Sequence, residues 1–153
     1  MEITAMKTTT TKPKIFIADD DPDEMFLFRS ALSHCNIAHE LTWFKNGKLL
    51  FDFLQTDNCV YPDIIFLDLN MPVMSGLECL HAIRSLEKLR GLTIVIYSTS
   101  AHPSDIKNTF EAGANCYLIK PASYVQLQKI LCDIFIEGIL LKPSPYDIHH
   151  YVL

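Results

Sequence analysis

The 153-residue sequence has no CxxC pair, no stretch approaching 18 apolar residues and no cluster of basic residues. Each absence removes a class of protein. Without a long apolar run no membrane-spanning helix is expected, and residues Met1 to Lys12 are Thr-rich and lack an apolar signal core. These features predict a soluble, cytoplasmic protein with no membrane partner. Thirteen Lys and Arg residues are scattered against eighteen Asp and Glu, a net charge of −5, which argues against a phosphate-tracking surface and against nucleic acid as a direct partner. The five cysteines (Cys35, Cys59, Cys79, Cys116, Cys132) are odd in number and mostly lie in apolar segments, so reduced thiols are expected. The six histidines form no metal-ligand spacing, His149-His150 reads as a solvated pair, and no transition metal is expected. There is no internal repeat. With 49% hydrophobic residues the chain suits one domain with a full core, leaving no space for an output domain of ordinary size.

Four apolar runs are present: Ile15-Phe16-Ile17-Ala18, Ile64-Ile65-Phe66-Leu67, Ile94-Val95-Ile96-Tyr97 and Cys116-Tyr117-Leu118-Ile119. Each is short, β-branched or aromatic, and apolar without alternation, which predicts strands buried on both faces of a parallel sheet. Loops leaving the carboxyl ends of such strands share one edge, so Asp19, Asp20, Asp68, Ser98 and Lys120 are expected to converge. A carboxylate cluster, a hydroxyl and an ammonium at one point fit a metal-assisted phosphoryl site.

Helices are predicted between these strands. Asp21-Pro22-Asp23-Glu24 opens one that runs to about Cys35, with Met25, Phe28, Leu32 and Cys35 at helical spacing. Leu41 and Trp43 alternate with Glu40 and Thr42, predicting a half-exposed edge strand. Further helices are expected from Asn46-Gly47, over Gly76 to Leu89, from Pro103 to Gly113, and from Ser123 to about Glu137. Five strands alternating with five helices predict a doubly wound α/β fold, a five-stranded parallel sheet in the order 2-1-3-4-5. Residues 1–12 read as a flexible tail, 13–138 as the domain and 139–153 as a C-terminal extension. Ile139, Leu140, Leu141, Tyr146, Ile148, Tyr151, Val152 and Leu153 make that extension too apolar for a purely solvated tail; it fits an interface or packing on its own domain.

Asp19-Asp20-Asp21 reads in two ways, as a helix cap or as a cation site, since adjacent carboxylates repel one another and a hard divalent cation relieves this. Asp21 serves the first reading, Asp19 and Asp20 the second. Asp68 follows the most apolar strand, where a carboxylate is costly unless it is used.

With these residues in view, the sequence resembles the receiver domain of two-component response regulators. The resemblance rests on Ile15 to Pro22 (IFIADDDP), Ile65 to Gly76 (IFLDLNMPVMSG), Ile96 to Ser100 (IYSTS) and Gly113 to Pro121 (GANCYLIKP), with Ser98 and Lys120 following Asp68 by 30 and 52 residues. It covers about residues 13 to 138 and implies a flavodoxin-like fold. It also implies roles: Asp68 as the phosphoacceptor for a sensor histidine kinase, and Mg²⁺ held by Asp19, Asp20, Asp68 and the Asn70 backbone carbonyl. Lys120 and Ser98 would contact the transferred phosphoryl group, Tyr117 would be the aromatic switch, and Lys120-Pro121 a cis peptide. Asn70 and Ser100 would flank the path of the hydrolytic water. The protein would then be a stand-alone signalling module, not an enzyme in the ordinary sense. It would signal through the face formed by helix 4, strand 5 and helix 5, and the C-terminal extension, as a homodimer. ANCYLIKP, Asn70, the loop before the third strand and the tail IFIEGILLKP give a narrower resemblance to small regulators paired with bacteriophytochrome-type kinases. Three alternatives carry less weight. A Mg²⁺-dependent phosphatase of the haloacid dehalogenase type needs an acid where Asn70 stands. A flavodoxin-type electron carrier needs a phosphate loop where three aspartates would repel its cofactor. A degenerate receiver that binds partners without phosphorylation would not keep every site residue.

Overall fold

The computed structural model describes residues 12–137 and 148–153. Five parallel strands, β1 (Lys14–Ala18), β2 (Glu40–Phe44), β3 (Ile64–Leu67), β4 (Ile94–Ser98) and β5 (Cys116–Ile119), form one sheet in the order β2-β1-β3-β4-β5. Five α-helices connect or follow them: α1 (Pro22–Ser33), α2 (Gly47–Leu54), α3 (Gly76–Ser85), α4 (Pro103–Glu111) and α5 (Tyr124–Glu137). This is the doubly wound α/β architecture expected from the sequence.

The unalternated runs are explained by two hydrophobic layers. Phe16, Ala18, Ile65, Leu67, Ile94, Ile96 and Tyr117 face the layer of Leu50, Leu54, Leu80 and Ile83, supplied by α2 and α3. Their neighbours Ile15, Ile17, Ile64, Phe66, Val95, Tyr97 and Leu118 face Met25, Phe28, Leu32, Leu131 and Ile134 of α1 and α5. Each strand residue is therefore apolar whichever way it points. β2 has one neighbour only in the sheet, and its burial alternates over Glu40 to Trp43 as an edge strand's should, before Phe44 enters the core.

Local chemistry sets the helix starts. Asp21 caps α1, accepting from the Asp23 N–H at 2.9 Å, with Pro22 in the first helical position. Asn46 caps α2 in the same way, and Ser75 with Glu78 forms a capping box on α3. Gly113, with φ of 96°, follows the end of α4 in the left-handed region.

Three expectations are corrected. The third helix does not reach Leu89: Leu86 is extended (φ −97°, ψ 122°) and a 3₁₀ turn, Glu87–Leu89, follows. The turn swings Leu89 and Leu92 into the core, while Arg84 satisfies the carbonyls of Arg90, Leu92 and Gly113 at 3.1, 2.8 and 2.9 Å. The cysteines are not all thiols, because Cys35 and Cys132 form a disulfide joining the end of α1 to α5, their Cα atoms 5.3 Å apart. They are separated by 97 residues, a proximity created by helix packing that local spacing does not encode. Among the described residues no peptide bond is cis, so Lys120-Pro121 is trans; the two isomers of an X-Pro bond lie only about 0.5–1 kcal/mol apart.

Residues 1–11 and 138–147 lie outside the described residues, so the flexible-tail reading and Ile139, Leu140, Leu141 and Tyr146 of the extension are not described. The rest of the extension packs on its own domain. Ile148–His150 forms a 3₁₀ turn with His149 and His150 exposed, and Val152 forms a parallel bridge with Tyr117 at the outer edge of β5. No described helix is long and apolar enough to cross a membrane.

Candidate functional site

The carboxyl ends of β1, β3, β4 and β5 converge as expected, and the sheet's own ladder holds them in register. The Asp68 N–H donates to the Ala18 carbonyl at 3.0 Å and the Lys120 N–H to the Ser98 carbonyl at 2.8 Å. Asp19, Asp20 and Asp68 each present one carboxylate oxygen within 4.8 Å of the others. Asp19 and Asp68 are buried and Asp20 is exposed, so the cluster opens to solvent on one side. Its oxygen donors suit a hard divalent cation with water completing the shell.

Asp19 is the most constrained acid. One oxygen accepts from the Asp21 N–H at 2.9 Å and the other meets Lys120 Nζ at 2.8 Å. Its backbone is held too, with its N–H donating to the Phe44 carbonyl at 3.1 Å and its carbonyl accepting from Trp43 Nε1 at 2.7 Å. Lys120 also lies 3.8 Å from both Glu24 and Asp68 and over the Tyr97 ring at 5.2 Å. Its side chain is 8% exposed. Burial alone would lower its pKa, but the hydrogen bond and charge of Asp19, with the charges of Asp68 and Glu24, outweigh it and hold the ammonium above its ordinary value.

Asp68 accepts from the Leu69 N–H at 2.9 Å. Burial, opposed by Lys120 and helped by Asp19 and Asp20, pushes its carboxyl up to about 6. Like charges cannot crowd a desolvated pocket without this cost. Asn70, exposed two residues on, begins a loop with an unusual turn: Val73 has φ of 69° and the Met74 N–H reaches the Pro72 carbonyl at 2.7 Å. Gly76 closes the loop, donating to the Leu69 carbonyl at 2.9 Å.

Ser98 is fully buried, and its Oγ accepts from the Ser100 N–H at 3.2 Å. Tyr117, also fully buried, donates its hydroxyl to the Ser100 carbonyl at 2.8 Å. The Ser100 hydroxyl donates to Asp105 at 2.5 Å and accepts from the His102 N–H at 3.2 Å. Asp19, Asp20, Asp68, Ser98 and Lys120 thus lie along the carboxyl edge of the sheet, while Tyr117 stands within β5, opposite Ile96, and reaches the loop after β4 with its hydroxyl.

Four contributors were not anticipated. Glu24 follows Asp20 by one helical turn, a spacing that places it over the same pocket. Trp43 stands beside Ile17 in the β1–β2 register, one residue before the strand ends. Asp105, in the first turn of α4, meets Ser100 only five residues before it, and Tyr151 touches Thr109, Phe110 and Tyr117 through tertiary contacts with no local signal.

Comparison with known proteins agrees with this geometry. The model of the response regulator receiver domain matches residues 15–132. Response regulator Rcp1 of Synechocystis sp. is 31% identical over 134 residues, covering 84% of this chain and 91% of Rcp1. The Mn²⁺-bound form of Rcp1 superposes with a TM-score of 0.75 at 28% identity, over 87% of this chain and 99% of that one. The phosphorylated cyanobacterial phytochrome response regulator RcpA gives 0.76 at 30% identity, over 84% and 96% of the two chains. The bacteriophytochrome response regulator RtBRR gives 0.69 at 27% identity, over 89% and 86%. With the receiver model spanning β1 to α5 and the acidic pocket standing where the four strands end, this chain belongs to the response regulator receiver family of two-component signalling.

Proposed function

We propose that this chain is a phosphorylatable stand-alone response regulator whose phosphoacceptor is Asp68. The observation that carries the reading is the approach of Asp19, Asp20 and Asp68 to within 4.8 Å with the Lys120 ammonium among them. An oxygen of ionised Asp68 attacks the phosphorus of a kinase phosphohistidine; the P–O bond forms as the P–N bond breaks, the imidazole leaves with the bond pair, and an acyl phosphate remains. With its pKa near 6, Asp68 is mostly ionised at neutral pH and able to attack.

Asp19, Asp20, Asp68 and the Asn70 carbonyl would hold Mg²⁺, which when bound supplies the charge neutralisation that lets an anionic donor approach three carboxylates. Lys120, kept protonated by Asp19, adds a positive charge that faces Asp68 from 3.8 Å. The Ser98 hydroxyl, whose oxygen already accepts from Ser100, keeps its proton to donate to a phosphoryl oxygen. Asn70 and Ser100 would bound the path of the hydrolytic water, and neither is a general base at neutral pH. In this reading the protein promotes its own phosphorylation, from the kinase phosphohistidine, and its own dephosphorylation.

The kinase partner is a sensor histidine kinase, and the likeness to RcpA and RtBRR supports a phytochrome-type sensor. The Mn²⁺-bound Rcp1 supports a divalent cation in the site. Signalling would proceed in the cytoplasm through altered contacts of the α4, β5 and α5 face, including self-association. Incubation with acetyl phosphate, with and without Mg²⁺, followed by intact mass spectrometry tests the reading. One added phosphoryl group is expected with Mg²⁺ and none after chelation or in Asp68→Asn.

A further inference from the structure

Tyr151 lies in the C-terminal segment 148–153, outside the receiver match, yet its side chain is fully buried. Its ring packs edge-on against Phe110 of α4 and Tyr117 of β5, with centroids 5.2 and 6.0 Å away. Its backbone continues the sheet: the Tyr117 N–H donates to the Tyr151 carbonyl at 3.0 Å and the Leu153 N–H to the Tyr117 carbonyl at 2.8 Å. Its hydroxyl donates to buried Thr109 Oγ1 at 2.8 Å.

Two routes lead from this side chain to one loop residue. Through Tyr117, the hydroxyl reaches the Ser100 carbonyl at 2.8 Å. Through Thr109, whose hydroxyl donates to the Asp105 carbonyl at 2.8 Å, the path reaches the Asp105 carboxylate, which accepts from Ser100 Oγ at 2.5 Å. Ser100 in turn donates its N–H to Ser98 Oγ at 3.2 Å. The loop that carries Ser98 is fixed at its carbonyl, hydroxyl and amide, and Tyr151 supports the first two.

We infer that Tyr151 is a positioning residue for Ser98, holding Tyr117 inward so that the Ser98 loop stands ready for the phosphoryl group. The inference rests on the reading of Asp68 and Ser98 given above. Without the Tyr151 ring, Tyr117 loses its packing partner on the outer side and the 148–153 backbone that pairs with it is less firmly anchored, so the Ser100 carbonyl loses a fixed donor. Because coupling is reciprocal, occupation of Asp68 must also tighten the 148–153 segment on β5.

The test uses the full chain and beryllofluoride with Mg²⁺ as the phosphoryl mimic. Tyr151→Ala should bind beryllofluoride about 5- to 50-fold more weakly, within the ordinary range of such coupling, and Tyr151→Phe, which keeps the ring, should fall between it and the unsubstituted protein. Mg²⁺ affinity without beryllofluoride should stay within about twofold, since no carboxylate is touched. In a Ser98→Ala background, Tyr151→Ala should have no further effect, which separates positioning from general loss of stability. In the unsubstituted protein, beryllofluoride should slow hydrogen exchange at the Tyr117 and Leu153 amides. Unchanged beryllofluoride affinity in folded Tyr151→Ala, an equal loss with and without Ser98, or exchange at Leu153 indifferent to beryllofluoride overturns the inference. If Tyr151→Ala does not fold, Tyr151→Phe and the exchange measurement decide alone. Failure of the unsubstituted protein to take up beryllofluoride overturns the receiver reading as well, an outcome distinct from failure confined to the variants.

Discussion

Lys120 Nζ sits 2.8 Å from Asp19 Oδ2 but 3.8 Å from Asp68 Oδ2, so the ammonium is hydrogen-bonded to a neighbouring acid and only faces the proposed phosphoacceptor. This arrangement keeps buried Asp19 paired while leaving Asp68 an uncommitted oxygen. Lys120→Ala should therefore act first on stability. Removing one partner of a buried pair costs about 3–5 kcal/mol because the other charge is left uncompensated. Urea unfolding should show that loss, and millimolar Mg²⁺ should restore part of it by taking over the charge of Asp19. A loss under about 1 kcal/mol would mean that solvent reaches Asp19 far more freely than its 1% exposure indicates.

Asp68 gives the opposite sign. Its folded-state pKa, about 6, lies above the ordinary value of 3.8, so the folded protein binds the proton more tightly than the unfolded chain. The stability from this group is fully present below pH 3.8 and is lost as pH rises through 6. In chelator, Asp68→Asn should thus stabilise the protein by up to about 3 kcal/mol at pH 8, with the gain shrinking towards pH 4. Thermal melts across that range check it, and a gain independent of pH would contradict the burial and like-charge origin of the shift.

Gly76 permits the loop after Asp68 to close. A Cβ built on it would overlap the Asp68 carbonyl oxygen and stand 2.8 Å from Leu69 Cα, against backbone that cannot step aside. Gly76→Ala should lower stability by at least about 2 kcal/mol and disturb the pocket, in the manner of an overpacked core site. Gly91, with nothing within 4 Å, is the control, and Gly91→Ala should be close to neutral. Equal effects of the two substitutions in chemical denaturation would sink the argument.

Much of the architecture was legible because the strands are buried on both faces, so their apolar runs are unbroken and the polar residue ending each run stands out. Asp19, Asp68, Ser98 and Lys120 were found in that way, and β2 was identified by its alternation as the edge. The illegible parts depend on where a side chain arrives after packing. Trp43 reads as a half-exposed strand residue, but in the β1–β2 register its indole reaches the Asp19 carbonyl. The third helix reads as longer because Leu86 and Leu89 keep helical spacing, while the chain turns at Leu86 to bury Leu89 and Leu92. Cys35 and Cys132 meet because α1 and α5 cover the same face of the sheet. Tyr151 looked like one apolar residue of an extension, and only the outer edge of β5 shows what it covers.

The measurement that reaches the central claim most directly is chemical mapping of the phosphoryl group. After reaction with acetyl phosphate, borohydride converts an aspartyl phosphate to homoserine, which tandem mass spectrometry locates in the peptide. Homoserine at position 68, formed with Mg²⁺ and absent after chelation, is the predicted result. Homoserine at position 19 or 20, or at 68 to an equal extent without a divalent cation, would contradict it.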